Sequence, residues 1–253
     1  MSNTGLKTVW AEPVILAIDT ASPQASLTVS RAEDIIATLT VRDNRPHSQT
    51  LFSHISTLLR IAETNIEDIG AFAAATGPGS FTGLRVGLAA IKGLAESLNK
   101  PGFGVDSLDL LALASGADGA HIVMINAGRE EVYCGFREII SGDIINRSIR
   151  DWVGKLAAVL DELMRYINHS MLIITGDGAL KYKDEVCDFI KERNKTSAAH
   201  YDSRQMVFIK QAHNISTVLA QRAARLIKSD QASVVRAHYI RQSDAEIKWK
   251  LRQ

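Results

Sequence analysis

"ATGPGSFTGLRVG", residues 75–87, is the densest run of glycines in the chain, and a helical pattern begins directly behind it. The apolar stretch "AFAAAT" at 71–76 leads in as a short buried strand. Leu84, Leu88, Ile91, Ala95 and Leu98 then follow on one helical stripe over Phe81 to Leu98. A strand, a glycine turn and a helix N-terminus can cradle phosphate, because free N–H groups and the helix dipole favour an anion there. Two such loops are excluded by spacing. Gly83 is followed by Leu84 and Arg85, not the lysine and hydroxyl of a Walker A loop, and Gly77, Gly79 and Gly83 do not match G-x-G-x-x-G. What remains is an anion site, or a turn whose glycines supply positive φ while Ser80 caps the helix.

Upstream, "VILAID" (14–19), "ASLTVSR" (25–31) and "DIIATLTV" (34–41) read as three strands of an antiparallel meander. Ser48 then caps a helix over 48–63 with two apolar rows: Leu51, Ile55, Leu58 and Ala62 on one, Phe52 and Leu59 on the other. The helix over 81–98 is two-faced as well, with Val86, Ala90 and Leu94 off its main stripe and Gly87 and Gly93 admitting a close neighbour. "PGFGV" and "SLDLLALAS" add a strand and a helix, so the order to residue 115 is βββαβαβα. From 121 the pattern restarts with strands in "HIVMIN", "EVYCGF" and "DIINRSI", a helix over 152–168, the strand "MLIIT" (171–175), and helices over 179–193 and 213–228.

This order predicts an α/β protein of two ribonuclease-H-like halves, as in the actin and sugar-kinase superfamily, with mixed sheets flanked by helices and a shortened second half. The expected divisions are a flexible arm at 1–12, a first domain at 13–117 and a second at 118–253.

Composition narrows the function. The net charge of +1 is too small for a chain that grips nucleic acid by its own phosphate contacts, so any RNA contact is shared with a partner. No apolar run is long enough to cross a bilayer, which predicts no membrane contact. Cys134 and Cys187 lack Cys-x-x-Cys spacing and read as reduced thiols, which predicts a cytoplasmic location. His47 and His54 are two helical turns apart, about 10 Å, too far to share an ion by themselves. No Ser-His-Asp, Cys-His or zinc pattern can be picked out.

"GPGSFTGLRVGLAAIKGLA" (77–95) resembles the signature of the TsaB (YeaZ) family. "LAIDTASPQASLTV" (16–29), "HSQTL" (47–51), "GVDSLDLLA" (104–112), "EVYCG" (131–135) and "HYIRQSDAEIK" (238–248) agree with it. The resemblance implies kinship with TsaD, which places threonylcarbamoyl on N6 of the adenosine 3′ to the anticodon in ANN-decoding tRNAs. TsaD binds metal partly through a His-x-x-x-His pair, and the matching positions here are Ser107 and Leu111. A leucine ligates nothing.

The resemblance therefore implies a non-catalytic adaptor that binds and activates TsaD, with TsaE and tRNA joining the assembly. No catalytic or metal residue is implied, and no cofactor is bound autonomously; ATP or ADP would sit at the contact with partner subunits. The family packs its two helices against TsaD as a bundle, or against a second copy as a homodimer. The implied interface is Leu51, Phe52, Ile55, Leu59, Leu84, Arg85, Leu88, Ile91 and Lys92. Asp19 and Thr20, Gly77, Gly79 and Ser80, and Gly176 and Gly178 resemble vestigial phosphate loops, though each also reads as a plain turn. One departure stands out: the family's Asp-Ala-Arg before "EVY" is replaced by Asn126, Ala127 and Gly128, with Arg129 one place later. The alternative function is an ATP-dependent small-molecule kinase or carbamoyltransferase of the same superfamily, using Asp19 and the glycine loop.

Overall fold

Each central strand is an apolar run with helices over it, and two such sheets are built. The computed structural model describes residues 12–147, 150–196, 206–211 and 214–229, which divide into two units, 12–106 with 214–229 and 107–211. Of the expected arm all but Glu12 lies outside the described residues, as does the motif at 238–248.

The first unit contains β1 (Val14–Asp19), β2 (Gln24–Arg31), β3 (Asp34–Arg42), α1 (His47–Ile61), β4 (Ala71–Ala75), α2 (Phe81–Ser97), β5 (Gly102–Val105) and a late helix, Ile215–Lys228. The sheet order is β3-β2-β1-β4-β5. The first three strands run antiparallel, and β4 and β5 continue parallel to β1. Side chains alternate between faces, so Leu27 and Val29 of β2 join the core under α1 and α2, while Thr28 points the other way to Ser216 of the late helix. Covered on both faces, β1 is apolar without alternation.

The second unit contains α3 (Ser107–Leu113), β6 (Gly119–Gly128), β7 (Glu131–Ile140), β8 (Asp143–Asn146), β9 (Trp152–Lys155), α4 (Leu156–Met164), β10 (Leu172–Thr175), α5 (Asp177–Lys181), α6 (Lys183–Thr196) and β11 (Met206–Ile209); the late helix is α7. Its sheet order, β8-β7-β6-β10-β11, repeats that of the first unit, with β9 added against the first half of β7. Two sheets of this order, each a meander continued by parallel strands and flanked by helices, form the actin and sugar-kinase type of fold.

Several local expectations change. Pro46, not Ser48, precedes the first turn of α1, and no side chain caps it, because the helix begins a residue earlier than the cap pattern suggested. The helix expected over 152–168 is a strand followed by a shorter helix: Trp152 and Val153 pair with Cys134 and Tyr133 of β7, a ladder that overrides local helical spacing. The helix over 179–193 divides into α5 and α6, and β11 was not anticipated. The division also differs from a single boundary at 117/118. The unit changes at 106/107, and α7 belongs with the first sheet because its side chains bond there. Ser216 meets Thr28 through hydroxyls 2.7 Å apart, and Glu33 accepts from Arg225 at 3.0 Å and Lys228 at 3.1 Å. No helix among the described residues is long and apolar enough to cross a membrane.

In the second unit, Arg137 is buried and donates to Asp109 at 2.5 Å and to both oxygens of Asp151 at 2.8 and 3.0 Å; Asp109 also meets Arg147. Removing one member of a buried ion group leaves charge without compensation. Arg137→Met is expected to lower the unfolding free energy by roughly 3 kcal/mol or more, measured by denaturant melts, and Arg137→Lys to recover only part of it because the two-pronged geometry is lost.

Candidate functional site

The glycine loop is the first element to judge, because an anion site requires its amides to be reachable. Gly77 has φ of 107°, a backbone region open chiefly to glycine, and it precedes Pro78 through a cis peptide. Ser80 caps α2, its Oγ accepting from the Gly83 amide at 3.3 Å. The turn after β1 then lies directly on this loop. Ser80 N–H donates to Ala21 O at 2.7 Å and Thr20 Oγ1 donates to Gly83 O at 2.8 Å. A Cβ on Gly79 would stand 2.7 Å from Ala21 O, one on Gly83 would overlap Thr20 O, and one on Gly87 would overlap Thr20 Oγ1. These glycines make room for the turn after β1, its backbone at 79 and 83 and the Thr20 side chain at 87.

Asp19 sits beneath. Its carboxylate is buried and accepts from Ala21 N at 2.9 Å; burial pushes it up to about 6, opposed by the Ala21 hydrogen bond and by His47. His47 Nε2 lies 2.9 Å from Ser22 O, which fixes the same turn from α1. The group thus works as a turn anchor.

The second loop is closed in the same manner. Gly176 has φ of 102°, and Cβ atoms on Gly176 and Gly178 would run into Met124 and Ile125 of β6. Asp177, raised chiefly by burial, accepts from Asn126 N at 3.2 Å, and Asn126 Oδ1 accepts from Lys181 Nζ at 3.2 Å. Asn126, where the family pattern has aspartate, is part of this closure. Arg129 is exposed at the β6–β7 turn.

Ser107 and Leu111 are both buried on α3. One hydroxyl and one hydrocarbon do not fit a metal ion, and no group of three or more His, Cys, Asp or Glu among the described residues could hold one.

The two helical rows separate cleanly. Leu51, Ile55, Leu84, Leu88 and Ile91, expected at a partner interface, are buried in this unit's own core, because they face the sheet. Leu59 is half-buried, and Phe52, 63% exposed, points outward with Arg85 and Lys92. The outward face also carries Ser53, Ser56, Arg60, Ala89, Gly93 and Glu96, which the sequence reading did not assign to a partner. An apolar residue off the buried stripe was the available signal for Phe52; small residues give none.

The fold is of the actin and sugar-kinase type. A family model described as "TsaD: tRNA N6-adenosine threonylcarbamoyltransferase" matches residues 41–249. The Bacillus subtilis protein named tRNA threonylcarbamoyladenosine biosynthesis protein TsaB is 28% identical over 93% of this chain and 97% of its own length. The Escherichia coli protein of that name is 36% identical over 47% of the chain and 52% of its own. An uncharacterized Mycobacterium tuberculosis protein is 36% identical over 47% of the chain, and the match spans only 56% of that relative's length. The solved YeaZ of Pseudomonas aeruginosa superposes with a TM-score of 0.68 over 90% of this chain and all of its own, at 19% identity, a likeness of fold. The chain belongs to the TsaB (YeaZ) family, within the tRNA threonylcarbamoyltransferase grouping that the matching model describes.

Two outcomes follow from the loop geometry. Gly83→Ala should cost on the order of 1–3 kcal/mol, since the turn after β1 must retreat, and equilibrium unfolding measures this. Asp19 is raised from 3.8 to about 6, so its stabilising effect is complete below pH 4, falls as pH rises, and is lost above pH 6. Asp19→Asn, which keeps an acceptor for Ala21, should therefore stabilise the chain at pH 7.5 by up to about 3 kcal/mol and have little effect at pH 4, as read from melts at both pH values.

Proposed function

We propose that this chain is a non-catalytic subunit of tRNA threonylcarbamoyladenosine synthesis that binds and activates a TsaD-type transferase through the outward face of α1 and α2. TsaE and tRNA join through the assembly, and any ATP or ADP belongs to the contact with partner subunits. The observation that carries this reading is the contrast between loops and helices. Both glycine loops are occupied by the chain's own groups, while an aromatic side chain stands exposed on a helix whose other apolar row is already buried. The names of the Bacillus subtilis and Escherichia coli relatives supply the pathway. A kinase would need Asp19 within reach of phosphate, and it is buried against Ala21.

The test is reconstitution of threonylcarbamoylation from this chain, TsaD, TsaE and the enzyme that makes threonylcarbamoyl-adenylate, omitting each in turn. Modified tRNA should require this chain and TsaD together. Product without TsaD, or ATP turnover by the isolated chain that Asp19→Ala abolishes, would overturn the reading. Phe52→Asp should weaken TsaD binding roughly a hundredfold, the scale of an interface anchor, with an unchanged melting curve because Phe52 contributes little to the core.

A further inference from the structure

β3 forms one edge of the first sheet, and among the described residues no strand pairs with its far side. It is nine residues long, whereas the strands at the other edges, β5, β8, β9 and β11, have four each. Its sequence, "DIIATLTVR", holds no lysine or proline, the residues that ordinarily blunt an edge. One bulge interrupts it: Ile35 opposes Ser30 and Ala37 opposes Val29, so Ile36 has no counterpart on β2. Ile35 and Ile36 are exposed, at 38% and 43%, and residues 37–42 run on in regular register. An edge of this length offers a row of backbone N–H and C=O groups to another strand.

The charges say which strand. Asp34 and Arg42 stand exposed at opposite ends of β3, and neither is in an ion pair among the described residues. Arg31, across from Asp34 on β2, forms no ion pair with it. The charges next in sequence are already matched: Glu33 accepts from Arg225 and Lys228, and Asp43 pairs with Arg45 at 2.7 Å. Asp34 and Arg42 are therefore the charges that the edge presents. Pairing β3 in parallel with a copy of itself would set acid on acid and base on base, which is destabilising. Antiparallel pairing brings the Asp34 end of each strand to the Arg42 end of the other.

We infer that β3 pairs antiparallel with β3 of a second copy of this chain, joining two first sheets edge to edge about a two-fold axis near Thr38, the midpoint of the strand. Such a contact is closed, because it consumes the β3 edge of both copies and stops at two. It uses none of the residues on the outward face of α1 and α2, so it neither rests on the docking reading above nor competes with it for those residues.

The experiment is sedimentation of the full chain over a range of concentrations, with a melting curve for every variant. The inference expects the mass to rise from one copy to two as concentration rises. Asp34→Arg and Arg42→Glu should each weaken self-association roughly tenfold, because each places like charges together at both ends of the pair. An equimolar mixture of those two variants should associate as the parent does, since each then meets opposite charge on the other. Ile36→Lys, at an exposed site, should weaken self-association roughly tenfold with an unchanged melting curve, and it carries the test if a charge variant melts early. A single-copy mass at every concentration overturns the inference. So does an association indifferent to these three changes, and so does a mixture no tighter than either variant alone, since the pairing is then not antiparallel. Association that Phe52→Asp abolishes also overturns it, because the contact then lies on α1 and α2.

Discussion

The contact between the turn after β1 and the N-terminus of α2 is the constraint on which the first unit depends. Ala21 O accepts from the Ser80 amide, Thr20 Oγ1 donates to Gly83 O, and the glycines at 79, 83 and 87 carry no side chain that would hold the turn away from the helix. The distance from β1 to α2 is thereby set at backbone contact. β4 pairs with β1, so the strand that leads into the loop is placed by the same contact. The core under α1 and α2 then closes with Leu84, Leu88 and Ile91 against the sheet.

The second unit solves the same problem with different residues. Gly176 and Gly178 admit the backbone of β6 at Met124 and Ile125, and Asp177, at the start of α5, accepts from the Asn126 amide. Helix starts with free amides attract anions, but a carboxylate from the same chain satisfies them without a ligand. Both loops thus lie against other parts of the chain, the first against Thr20 and Ala21 and the second against Met124 and Ile125.

An outward face is what α1 and α2 have left after the core is built. Its makeup differs from that of the buried rows: an aromatic residue, small residues and cations rather than aliphatic side chains. The separation follows from geometry, since a helix one layer deep on a sheet can bury only about one stripe.

Much of the fold was legible in the chain itself. Apolar runs and alternation gave the βββαβαβα order to residue 115 and its restart after 121, because periodicity is a local property. The glycine run identified the loop, and its departure from Walker A and dinucleotide spacing argued against ordinary phosphate binding. Only the tertiary structure decided that Gly83 and Gly87 are small for Thr20 while Gly93 faces open space, since glycine records an absence without naming the neighbour. It also decided that Trp152–Lys155 is a strand, that α7 belongs with the first sheet, and that Leu51, Ile55, Leu84, Leu88 and Ile91 face inward where Phe52, Arg85 and Lys92 face out. Those outcomes are set by contacts between residues far apart in sequence, and no local pattern carries them.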